Sequence, residues 1–219
     1  MRGKCIVLLF VSALILSAVK SVHSSVIINE ILADPPAGSS GDANGDGVRS
    51  SKDDEFVELF NMSYEAIDVS NWFLTDASAT RHVFGSNSLV DPLSAFVVFA
   101  GGAPAFEGFY WQTSSTDNLG LNNDGDTVSL FDAAGNLIDR VVYGLEAGND
   151  QSIVRSVEGT ESGWIKHSDL QNSQGKIYSP GYLVNKKKTV DLDNLPVPEP
   201  ATILALLIGL GWMYFFKRE

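Results

Sequence analysis

Thr127-Val-Ser-Leu-Phe131, Asp132-Ala-Ala-Gly-Asn136 and Leu137-Ile-Asp-Arg-Val-Val-Tyr143 decide how this chain folds. Two runs rich in β-branched and aromatic residues flank five small, turn-forming ones, the length and glycine content of a hairpin connection. Outward from this pair, Val26 to Ile31, Glu55 to Asn61, Ile67 to Leu74 and Ala95 to Ala100 have the same character. Clusters of Gly, Asn, Asp, Ser and Pro separate them, and no stretch of the body keeps helical spacing for a dozen residues. Short strands divided by turns predict an all-β, antiparallel sandwich or barrel. The aromatics Trp72, Phe73, Tyr143 and Trp164 are expected in its core, where each contributes a few kcal/mol by burial.

The runs that predict strands also carry a family resemblance. Ile27-Ile-Asn-Glu-Ile31, Asp54-Glu-Phe-Val-Glu-Leu-Phe-Asn61 and Ile67-Asp-Val-Ser-Asn-Trp-Phe-Leu-Thr-Asp76 resemble the opening strands of the lamin tail domain. The likeness continues through Leu121 to Leu130, Gly135 to Gly144, Ser152 to Arg155, Trp164 and Ser179 to Asn185. It implies an immunoglobulin-like antiparallel β-sandwich over residues 25–185, of a kind found in nuclear lamins and in secreted or surface proteins of bacteria. Glu30 and Glu58 recur on the family's early strands, and the sequence leaves open whether they orient backbone, pair with Arg155 or touch an ion.

Asp42-Ala-Asn-Gly-Asp-Gly-Val-Arg-Ser-Ser-Lys-Asp53 is inserted between the first two predicted strands. Calcium takes six to eight hard oxygens, and alternate positions of a tight loop converge on one point. The spacing offers Asp42, Asn44 and Asp46, a turn at Gly47, the Val48 carbonyl, Ser50 or its water, and Asp53 at the twelfth position. This resembles the calcium loop of dockerins, except that a strand and not a helix is expected to follow. The competing explanation is that Asp, Asn and Gly simply make turns. Asn123-Asp-Gly-Asp126 lacks the register and is expected to be only a turn.

Both termini carry targeting patterns. Arg2 and Lys4 precede an apolar stretch from Cys5 to Ala18, and small residues near Ser24 suit a signal peptidase, so residues 1–24 read as a signal peptide. The one cysteine, Cys5, falls in that segment, which leaves no thiol for the exported body. At the other end a polar linker, 186–200, finishes in Val197-Pro198-Glu199-Pro200. The apolar run 201–216 and the basic stop Lys217-Arg218 of the tail 217–219 follow. Its 16 residues would span roughly 24 Å as a helix, short of the bilayer's hydrocarbon core of about 30 Å. The order of these parts resembles the PEP-CTERM sorting signal of Gram-negative bacteria. That resemblance implies an exosortase as processing partner, a transient inner-membrane anchor, and delivery to the cell surface or biofilm matrix.

Charge narrows the partners. The whole chain carries −12; without the basic leader (Arg2, Lys4, Lys20) and the balanced tail, 10 basic and 25 acidic residues leave −15 on the body. Such a field repels nucleic acid and anionic polysaccharide and draws cations. His82 and His167 stand apart, with no zinc-ligand spacing, nucleophile elbow or phosphate loop around them, so no catalytic residue is assigned and no enzyme is expected. The expected function is a calcium-stabilised interaction or adhesion module, with an exopolysaccharide or surface protein as its partner. The alternatives are an accessory domain of a metal-dependent hydrolase or phosphodiesterase, and a carbohydrate-binding module using Trp111 as an exposed platform.

Overall fold

A computed structural model describes residues 25–184 of the protein. The signal segment, Asn185, the linker with Val197 to Pro200, the apolar run and the basic stop at Lys217 and Arg218 lie outside the described residues. Among the described residues no helix is long and apolar enough to cross a membrane.

The strands in chain order are β1 (Val26–Leu32), β2 (Phe56–Asn61), β3 (Ile67–Asp68), β4 (Phe73–Thr75), β5 (Thr80–Val83), β6 (Leu89–Val90), β7 (Ala95–Phe99), β8 (Tyr110–Thr113), β9 (Asp126–Phe131), β10 (Leu137–Tyr143), β11 (Ile153–Arg155) and β12 (Trp164–Lys166). They form a six-stranded sheet in the order β12-β11-β1-β2-β7-β8, a four-stranded sheet β10-β9-β4-β5, and the small pair β3-β6. The β9–β10 hairpin closes as the sequence predicts, with Gly135 at φ +83° in the connecting turn.

A single cluster fills the space between the sheets. Val26, Ile28, Val57, Leu59, Phe96 and Val98 from the larger sheet meet Leu74, Val128, Leu130, Val141 and Tyr143 from the smaller. At about 1.5–3 kcal/mol for each large side chain removed from water, this cluster is the main driving force for the sandwich. The central strands β1, β2 and β7 are buried on both faces. Their second face holds Leu32, Phe56, Val97 and Phe99 under Phe106, Phe109 and Tyr178, and Ile27, Phe60 and Ala95 under Leu93 and Leu183. Two segments remote in sequence, 100–109 and 178–183, therefore cover the outside of the larger sheet.

Several expectations are corrected. The sheets are not purely antiparallel, because β8 runs parallel to β7. Ile67 to Leu74 is not one strand: Asn71 takes a left-handed φ of +62°, and the chain turns between β3 and β4. Phe73 is not a core residue, since it faces outward and stacks on Phe131 at 5.0 Å between ring centres. Trp72 and Trp164 pack on the margin of the main cluster, and Tyr143 is buried within it. Trp111 is no open platform, because its indole N–H donates to the Phe106 carbonyl at 3.3 Å and its ring packs on the outer cluster.

Candidate functional site

The acidic loop is held by its own backbone. Asp42 Oδ2 accepts from the Gly47 amide at 2.9 Å, Asn44 Oδ1 from the Asp46 amide at 3.0 Å, and Asp46 Oδ1 from the Val48 amide at 2.8 Å. Gly45 and Gly47 make these turns at φ +69° and +85°, a region that disfavours any side chain. Ser50 Oγ accepts from the Asp53 amide at 3.0 Å and caps one turn, after which the chain enters β2 as a strand.

A second segment clasps the loop. Asn44 donates through Nδ2 to the Gly101 carbonyl at 3.3 Å, and the Ala103 amide donates to Asp46 Oδ2 at 3.0 Å. The Gly101 amide donates to the Asp53 carbonyl at 3.2 Å, and the Ala105 amide to the Asn44 carbonyl at 3.1 Å. The Ala103 amide, then that of Val48, holds Asp46 below the ordinary carboxylate range. A Cβ at Gly102 would collide with the Asn44 amide and the Asp46 carboxylate, so glycine is needed where the two segments meet.

The sequence missed Asp54. It is fully buried and bridges the loop's two limbs, Oδ1 accepting from the Asn44 amide at 2.9 Å and Oδ2 from the Ser50 amide at 2.6 Å. Burial and, less strongly, repulsion from Asp42 push its carboxyl up. Asp42, Asn44, Asp46 and Ser50 thus share one loop, while the Asp53 carboxylate lies against Gly101 and the Val48 side chain is exposed. Among the described residues no three His, Cys, Asp or Glu side chains are gathered as a metal centre. The donor chemistry nevertheless suits a hard cation, because the side chains on offer are oxygen donors and Asp42 Oδ1 is buried without a hydrogen-bond partner.

A buried acid pair lies on the same outer face of the larger sheet. Glu30 and Glu58 are cross-strand neighbours, both at 0% exposure. Glu30 Oε1 accepts from Ser152 Oγ at 2.6 Å and the Ser179 amide at 2.9 Å, while Glu58 accepts from Asn29 Nδ2 at 2.8 Å and the Gly181 amide at 2.7 Å. The glutamates therefore orient backbone: they fasten the covering segment 178–183 to the sheet.

The proton count of this cluster is constrained. Burial lowers the pKa of His167, which keeps the ring neutral, and its Nδ1 lies 2.9 Å from the Lys176 carbonyl, which can only accept. Nε2 then accepts a hydrogen bond from the Ser179 hydroxyl across 2.9 Å. The 3.1 Å contact of Ser179 Oγ with Glu30 Oε2 is satisfied when Glu30 carries its own proton. Burial pushes Glu30 up to about 7 in agreement, and Glu58 is raised well above its ordinary range by burial and then by Glu30.

The sequence profile of the Lamin Tail Domain family matches residues 20–145, more than half of the chain. The chain belongs to the lamin tail domain family. A search against curated proteins finds no match. The lamin tail domain is a non-enzymatic, immunoglobulin-like interaction module, and the two packed sheets have that architecture. The matched span stops before β11, β12 and segment 178–183, yet Glu30 and Glu58 find Ser152, Ser179 and Gly181 there.

Arg155 on β11 does not pair with either glutamate. Its guanidinium bonds to Asp139 Oδ2 at 3.1 Å, the Ile28 carbonyl at 3.1 Å and the Ser162 carbonyl at 2.9 Å, and lies 4.6 Å over the Trp164 ring. Asp139 Oδ2 also accepts from the Ile28 amide at 2.8 Å. Ile28 sits at a bulge in the β1–β2 ladder, and these two side chains supply its backbone partners. Asp139 belongs to β10, so the same contact ties the edge of the smaller sheet to β1 and β11 of the larger. Asn122 to Asp126 forms the expected turn, with the Gly125 amide donating to the Asn122 carbonyl at 3.3 Å.

Proposed function

We propose that this lamin tail domain is the body of an exported, non-catalytic surface or extracellular-matrix protein. Its work is to bind, its loop 42–53 holds calcium, and an exosortase processes it at Val197-Pro198-Glu199-Pro200. The observation that carries the reading is the succession behind a domain of an interaction family: Pro198-Glu199-Pro200, the apolar run 201–216, then Lys217-Arg218. An apolar helix ending in cations favours an inner-membrane stop with its basic end in the cytoplasm. Signal peptidase acts at the other end, near Ser24. Replacing Pro198, Glu199 and Pro200 together with alanine should leave unprocessed chain in the membrane fraction, read by immunoblot of fractionated cells. Processing identical to that of the parent refutes the sorting reading.

Calcium is the second part of the reading. Asp42, Asn44 and Asp46 would supply side-chain oxygens, with the Val48 carbonyl, Ser50 and Asp53 completing the set as the spacing suggests. The buried, partnerless Asp42 Oδ1 supports it, and a calcium ion would neutralise charge in a body that carries an excess of acid. An ion that binds only the folded state stabilises by mass action, about 2.7 kcal/mol at a hundredfold excess over its Kd. The thermal midpoint of the full chain should therefore rise by several degrees with millimolar calcium, fall back in chelator, and lose the response in Asp42→Ala with Asp46→Ala. A midpoint indifferent to both calcium and chelator counts against the site.

A further inference from the structure

A cleft of about 480 Å³ opens on the outer face of the larger sheet, beside the buried acid pair. Its size lies within the about 300–1,000 Å³ of small-molecule sites. Phe60 and Leu93 line it from the sheet and the loop before β7, Phe109 from the approach to β8, and Tyr182 and Leu183 from the covering segment. The aromatic side is rigidly built. Phe109 meets Tyr182 edge-to-face at 5.6 Å, a Cβ on Gly181 would strike the Phe109 ring, and the amides of Gly181 and Tyr182 are tied to Glu58 and the Ser179 carbonyl. Tyr182 itself is 55% exposed.

Asp91 brings the one charge among the lining residues. Its carbonyl accepts from Asn61 at 3.1 Å, but among the described residues no donor reaches its carboxylate. An unpartnered carboxylate next to aromatic surface selects for a ligand that is cationic and also offers a flat apolar face. Aromatic rings attract cations electrostatically, and the C–H face of a pyranose packs on them as well. The net −15 of the body draws such a ligand in and turns anionic polymers away.

We infer that this cleft binds an amino sugar with a free amine, its ammonium on Asp91 and its ring against Tyr182. This rests on the reading of the domain as an exported interaction module, and names the class of polymer that it holds. It also moves sugar recognition away from Trp111, whose ring is packed and whose N–H is used.

The test is calorimetric titration of the purified full chain, kept in a zwitterionic detergent without a sugar headgroup, with a glucosamine tetrasaccharide. The N-acetylated tetramer, cellotetraose and tetralysine serve as comparison ligands. The glucosamine oligomer should bind, and the other three should bind at least about tenfold more weakly. Asp91→Asn and Tyr182→Ala should each weaken binding about tenfold or more, while Tyr182→Phe, which keeps the ring, should stay within about threefold of the parent. Tyr182 is exposed and Asp91 half-buried, and an unchanged thermal midpoint establishes that the variants are folded. Equal binding of the acetylated or neutral oligomer, equal binding of tetralysine, unchanged binding by Asp91→Asn, or no binding at all overturns the assignment. None of these results bears on export or tail processing, so the cleft proposal can fail while the proposed function stands.

Discussion

Arg155→Ala should destabilise the domain by about 3 kcal/mol, the lower end of what removing one partner of a buried ion pair costs, because the Asp139 side chain keeps 17% exposure. Arg155 is 8% exposed, and its departure takes a donor from three acceptors together: the Asp139 carboxylate, which keeps its backbone donors, and the carbonyls of Ile28 and Ser162. The Ile28 carbonyl is the most costly, because the β1–β11 ladder covers only Glu30 and Ile31 and leaves Arg155 as the donor that reaches it on that side. Arg155→Lys should recover less than half of the loss, since an ammonium keeps the charge but cannot fork to three acceptors. Urea unfolding of the two variants beside the parent measures both effects. A loss below about 1 kcal/mol for the alanine variant would mean that water satisfies what the guanidinium now holds.

The second large effect is on pH dependence. Glu30 holds its proton up to about 7 in the folded chain, against 4.5 for an ordinary glutamate. A carboxyl raised in this way favours the folded state fully below about pH 4.5, and that contribution is lost as pH climbs through 7. The shift corresponds to on the order of 3 kcal/mol. His82 works in the opposite sense over part of the same range, because burial lowers its pKa to about 4. The clean signal is therefore the difference between the parent and Glu30→Gln, whose amide cannot ionise.

Glu30→Gln should gain on the parent steadily between pH 4.5 and 8, by on the order of 3 kcal/mol in all. The gain is read from urea midpoints at stepped pH. The groups that face Glu30 are Glu58 on β2 and His167 after β12, with the charge of Glu158 also felt by both of them. Their own titrations shift the size of the gain and not its sign. A parent and variant with parallel pH profiles would show that Glu30 is ionised throughout.

How much could be read from residues alone follows from where each strand sits. β9 and β10 were legible because their hairpin is local and, in β9, the core residues Val128 and Leu130 alternate with the more polar Thr127 and Ser129. β11 and β12 have three residues each, too few for any period to show, and β8 lies among glycines and aromatics that read as loop. Glu30 and Glu58 sit in strands buried on both faces, where a polar residue ordinarily signals solvent. What buries them is Ser179 and Gly181, about 120 to 150 residues further on, and no local pattern encodes that. The acidic loop announced its turns through Gly47, whereas Asp54 stood one position beyond the twelve-residue register and was therefore overlooked. Phe73 was misplaced because the turn at Asn71 resets which face the next residues occupy.

The first strand of the larger sheet is also the last to be completed. β1 takes one neighbour from β2 but the other from residues 153–155, and Glu30 waits for a serine 149 positions away. Pairings this far apart along the chain close slowly, over milliseconds to seconds. A polypeptide emerging from its amino end would hold an unfinished sheet until nearly the whole body had followed. Such a delay would keep the chain threadable, as the export proposed above requires of a narrow translocation pore's cargo.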